Sequence, residues 1–167
     1  MSFNISKIEN LIRDYLLEEG ILKEKLDSEN FDFGFIFSFP PGPKSQNMSI
    51  YKPKNSNNIF ITIRFQLSEE KVRILNSLKE DQKIRLLNEI RKHFLIKEIY
   101  FSIDNQKMII EIYEQIFPQK EKLISKDSLF KRIRKVFYCF IFSNIMIEEY
   151  CRGKKNSADE FNYSLFS

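Results

Sequence analysis

Few side chains in this sequence could do chemistry. His93 is the sole histidine, so no site of paired imidazoles can be assembled, and a nucleophile has one base at most to call on. It sits in an amphipathic helical stretch and reads as a surface or half-buried structural residue. Cys139 and Cys151 form no CxxC and have no histidine near them. They read as reduced thiols in a cytoplasmic protein, not as metal ligands. The four glycines make neither GxGxxG nor a P-loop, which removes a glycine-rich cradle for phosphate. Asp32, Glu98, Asp104, Glu111 and Glu114 fall on expected strands or their ends. Two such carboxylates could share acid–base work, but the solvent face of a sheet carries acidic residues routinely, and that reading is adopted. No catalytic, cofactor-binding or metal-ligating residue is assigned, and the chain is expected not to be an enzyme.

A basic cluster, Lys122, Lys126, Lys131, Arg132, Arg134 and Lys135, offers the other chemistry, a patch for phosphate. Wound on a helix, these residues spread around the wheel and make a solvated helix start, not a stripe. The formal net charge is only +4, with basic residues dispersed along the chain. Nucleic-acid binding through this helix start is therefore the alternative reading, ranked below protein binding.

The elements that must position these residues follow from periodicity. Ile8, Leu11, Ile12, Tyr15 and Leu16 recur at helical spacing and predict an amphipathic helix ending near Gly20. The charged interval 21–30 reads as a connector. Phe31, Phe33, Phe35, Phe37 and Phe39 alternate with smaller residues, which predicts a strand with five rings on one face. Pro40-Pro41-Gly42-Pro43 stops it, because fixed φ angles and missing N–H groups end ladder pairing. Strands over about 47–51 and from Ile59 to Gln66 complete an antiparallel meander. Ser68 is an N-cap with Glu69 and Glu70 in the first turn, and two helices with a break, or one bent helix, follow to Phe94. Alternation at Ile99, Phe101 and Ile103, then at Ile110, Ile112 and Ile116, predicts a hairpin turning at 104–107.

The last helix is expected from about Asp127 to Tyr150. Leu129, Ile133, Val136, Phe137, Phe140, Ile141 and Ile147 share a face that suits the sheet, and Asn144 falls there too, where it needs a hydrogen-bond partner. The opposite side changes from lysine to Tyr138, Phe142 and Met146, flanked by Cys139 and Ile145. A helix apolar all round is buried all round. One sheet covers one side, so Tyr138, Phe142, Ile145 and Met146 are the candidate partner-binding residues. The apolar run 136–147 spans roughly 18 Å at 1.5 Å per residue, short of a hydrocarbon core of about 30 Å, so membrane insertion is not expected.

Length allows one domain. The expected organisation is a single α+β domain over 1–152 and a disordered tail over 153–167. Its fold is an antiparallel five-stranded sheet, three-stranded meander plus hairpin, covered by N-terminal, central and long C-terminal helices. This order resembles the type III secretion chaperone-like fold, and more narrowly an uncharacterised archaeal protein family of that fold. The residues that carry the resemblance are Phe39-Pro40-Pro41-Gly42, Pro53-Lys54, Phe101-Ser102-Ile103, Lys126-Asp127, Phe130, Ile133-Arg134 and Val136-Phe137, over about residues 4–150. The resemblance implies a chaperone-like dimer that binds protein segments. The expectation is thus a non-enzymatic protein-binding module, chaperone-like or a complex subunit, acting as a homodimer, with no cofactor.

Overall fold

The structure, a computed structural model, describes residues 5–118 and 124–155. Lys122 and the expected tail beyond Lys155 lie outside the described residues. Helix α1 (Ile5–Glu18) buries Ile8, Ile12 and Leu16 and ends where Gly20 takes a left-handed φ of 65°. There the Ile21 N–H reaches back to the Leu16 carbonyl at 3.0 Å, a turn that favours glycine because its left-handed φ strains any residue that carries a Cβ.

The sheet has six strands, not five: β1 (Leu22–Lys25), β2 (Phe31–Phe39), β3 (Gln46–Pro53), β4 (Ile59–Gln66), β5 (Tyr100–Asp104) and β6 (Ile109–Ile116). The extra strand is the interval read as a connector. Its sequence, LKEK, carries no strand signal of its own and becomes a strand by pairing antiparallel along β2. Spatial order is β1-β2-β3-β4-β6-β5, so the hairpin β5-β6 joins the meander through β4 and β6, antiparallel from Ile59↔Ile116 to Gln66↔Ile109.

The phenylalanine strand departs from strict alternation. Its register with β3 shifts between Phe31 and Phe33, a bulge that sends Phe31 to the face opposite Phe33, Phe35 and Phe37. Those three are at most 2% exposed in the core, and Phe39 meets Phe137 edge-on at 5.3 Å. Phe31 instead begins a ladder across the other face, touching Tyr51, which continues through Phe60 and Tyr113 to Tyr100. Tyr51 and Phe60 lie 17° from parallel, and Tyr100 and Tyr113 13°, so each strand but β1 contributes one ring to a self-packed row. Such cross-strand aromatic pairs stabilise a sheet by about 0.2–1 kcal/mol each.

After β4, Ser68 caps α2 (Glu69–Asn76) by accepting from the Lys71 N–H, as its sequence predicts. A break at 77–79 precedes α3 (Glu80–Ile96). Glu98, at φ 50°, turns the chain into β5 while the Ile99 N–H closes on the Phe94 carbonyl at 3.1 Å. The final helix, α4 (Lys126–Lys155), runs five residues past its expected end, so 153–155 are helical. It packs over β4 and β6 with α2 and α3 beside it. One buried cluster joins α1, the helix-facing sheet residues, α3 and α4.

Candidate protein-binding surface

Helix α4 starts on Ser125, whose hydroxyl accepts from the Ser128 N–H at 3.2 Å and whose carbonyl accepts from Leu129. From there three sides diverge. Leu129, Ile133, Val136, Phe140, Ser143 and Ile147, alternating three and four residues apart, are buried; at 3.6 residues per turn that spacing keeps one stripe on the sheet. Ser143 is silent in this row because its hydroxyl donates to the Cys139 carbonyl at 2.9 Å. Asn144 likewise donates to the Phe140 carbonyl at 3.1 Å.

A second side faces α3. Phe142 stacks on His93, ring centroids 3.6 Å apart and 8° from parallel, and Met146 is half-buried against the core. Burial, then the nearby Lys97 charge, holds the His93 pKa below its usual value. Cys139 is 1% exposed, and burial pushes its thiol up to about 11; neither Cys139 nor Cys151 is in a disulfide. Helix α3 therefore covers part of the apolar side that one sheet could not.

The third side faces solvent, and Tyr138 (61% exposed), Ile141 (37%) and Ile145 (51%) lie on it. Ile141 thus leaves the sheet-covering face to which its helical projection assigns it. The structure brings Tyr138, Phe142 and Ile145 together along one open groove of about 800 Å³, and sets Met146 apart from it.

Cations line the basic end of that groove: Lys97, Lys131, Arg132, Arg134 and Lys135. Two of them, Arg132 and Lys135, hold Glu114, which alternates with Ile112 and Ile116 on the helix-facing side of β6 and is 5% exposed. The expectation of a solvent-facing Glu114 is corrected here. Register put it among the core isoleucines, and two cations make that position tolerable. Arg132 donates to it at 2.7 Å and to the Gln115 carbonyl at 3.2 Å; Lys135 donates to it and to the Glu98 carbonyl at 2.9 Å. Lys126 is taken up by Glu18 and Glu19 at 2.9 and 2.7 Å. The cluster read as a solvated helix start is thus largely committed to intramolecular pairs. Among the described residues Lys131 and Arg134 have no ion-pair partner.

A family model described as "Uncharacterized conserved protein (DUF2299)" matches residues 8–147, from the first turns of α1 through the apolar stripe of α4. The chain belongs to the DUF2299 family. No curated protein matches it. The fold of this DUF2299 member is similar to that of an uncharacterized protein from Methanothermobacter thermautotrophicus, known from a crystal structure, with a TM-score of 0.75 and 23% identity over 84% of this chain and 96% of that one. That likeness concerns the fold. Among the described residues no helix is long and apolar enough to cross a membrane, and no three His, Cys, Asp or Glu side chains gather around a common point.

Proposed function

We propose that this DUF2299 member is a non-enzymatic protein-binding module, chaperone-like or a subunit of a complex, whose partner docks on the solvent side of α4. One observation carries the reading. Tyr138 and Ile145, two turns apart with Ile141 between them, stay exposed on a helix whose other sides are packed, and an apolar row rimmed by charge is the usual anatomy of an interface core. The chaperone-like reading rests on the order of helices and strands. Two buried thiols outside any disulfide support a cytoplasmic setting. His93 is engaged in a stack, Glu114 is neutralised by two cations and Cys139 is buried with a raised pKa, so the groups that could start chemistry are occupied structurally.

The nucleic-acid alternative has less behind it, because Lys126, Arg132 and Lys135 are already paired. Protein binding is tested with Tyr138→Glu together with Ile145→Glu. Both positions are more than half exposed, so an unchanged circular dichroism spectrum is expected. The wild-type chain should carry an associated protein, a second copy by light scattering or another chain by affinity capture from native extract, and the variant should lose it. A wild-type chain alone in both measurements refutes the reading.

A further inference from the structure

The solvent stripe of α4 has a symmetry in its chemistry. Counting inward from its basic end it presents Arg134, Tyr138 and Ile141; counting inward from its acidic end it presents Glu149 and Ile145, with Phe142, half-buried against His93, at the edge of the stripe. A second α4 laid antiparallel, with a two-fold axis passing between Ile141 and Phe142, sets Tyr138 opposite Ile145 and Arg134 opposite Glu149, since the members of each pair are equally far from the axis. Apolar meets apolar, and cation meets anion twice.

The two charged residues are available for this. Among the described residues neither Arg134 nor Glu149 has an ion-pair partner, whereas Glu148 beside it is held by Lys71 and Lys135 by Glu114. At 1.5 Å per residue Arg134 and Glu149 each lie about 11 Å from the axis. Helices crossing at about 20° diverge there by only about 4 Å, within reach of a long side chain. A parallel pairing would oppose Arg134 to Arg134 and Glu149 to Glu149. An unrelated acidic partner would suit the basic end but leave Glu149 facing like charge. Lys131 and Arg152, the next exposed positions outward, would meet about 16 Å from the axis, in solvent where screening weakens repulsion.

We infer that the partner of this surface is a second copy of the chain, docked antiparallel through α4 about a two-fold axis between Ile141 and Phe142. The inference rests on the protein-binding reading and names its partner. An isologous interface makes each contact twice, so one altered residue acts at two places.

Charge exchange tests it on the full chain. Arg134→Glu alone places Glu against Glu149 at both contacts, and Glu149→Arg alone places Arg against Arg134. Each is expected to weaken self-association by about tenfold or more, since like charges across an interface are strongly disfavoured. Mixing the two single variants makes both contacts attractive, and a heterodimer should appear by light scattering. The double variant should also recover the dimer. Self-pairing of this geometry is overturned by a monomeric wild-type chain, by single variants that remain dimeric, or by a mixture that behaves as its separate components. If the wild-type chain is monomeric yet captures another protein that Tyr138→Glu with Ile145→Glu releases, the self-pairing falls while the protein-binding reading stands.

Discussion

Stripping the cations from around Glu114 should destabilise the fold more than neutralising Glu114 itself. Glu114→Gln keeps the shape and trades charge-assisted hydrogen bonds for weaker ones, an expected loss of about 1–2 kcal/mol. Arg132→Met with Lys135→Met leaves a carboxylate 5% exposed without a countercharge, an expected loss of about 3 kcal/mol or more. Urea unfolding at neutral pH ranks the two, and the reverse order would mean that water reaches Glu114 and does the work assigned to the cations. The alternation of Ile110, Ile112 and Ile116 already places Glu114 on the isoleucine face; that Arg132 and Lys135 reach it from α4 is not written in the local sequence. Glu111, three residues earlier, stands on the other face of β6, and the difference is one of register.

Among the elements, the bulge in β2 has its own support. Lys52, 7% exposed, donates to Asp32 at the bulge and to the Ser56 carbonyl at 2.8 Å in the turn between β3 and β4. Asp32→Ala leaves that buried ammonium on carbonyls alone and should cost about 2–3 kcal/mol, whereas adding Lys52→Met should recover most of the loss, because apolar side chains replace a buried ion pair with little penalty. Thermal or urea midpoints of the single and double variants decide it; equal losses would show that the aspartate holds the bulge by some other contact. Helix α4 teaches a related lesson. Its length and all-round apolar character are legible in the sequence, and so is the need for a second cover. That α3 supplies part of that cover, stacking His93 on Phe142 and leaving Tyr138, Ile141 and Ile145 outside, depends on where α3 lies.

For the whole molecule, electrostatics separates the two functional readings. Lys97, Lys131 and Arg134 are the groove cations for which no ion pair appears among the described residues. Three phosphate contacts would give a dependence of log affinity on log salt no steeper than about −3 for duplex DNA. Weak binding with a shallow slope is therefore expected in a fluorescence polarisation titration. A steeper slope that Lys131→Gln with Arg134→Gln flattens would restore the nucleic-acid reading.

What the sequence determined by itself is local. Alternating Phe and Ile marked the strands, i, i+3, i+4 spacing marked the helices, Ser68 and Gly20 marked helix ends, and proline runs marked turns, because each signal acts through neighbours a few residues away. The tertiary structure decided the rest. LKEK became β1 only beside β2, Phe31 changed face at a bulge, and Glu114, on the isoleucine face by alternation, met its two cations only once α4 lay over β6. The solvent stripe of α4 emerged only once sheet and α3 had each taken a side. Periodicity tells which residues share a face; which element lies over that face is set by contacts between distant parts of the chain.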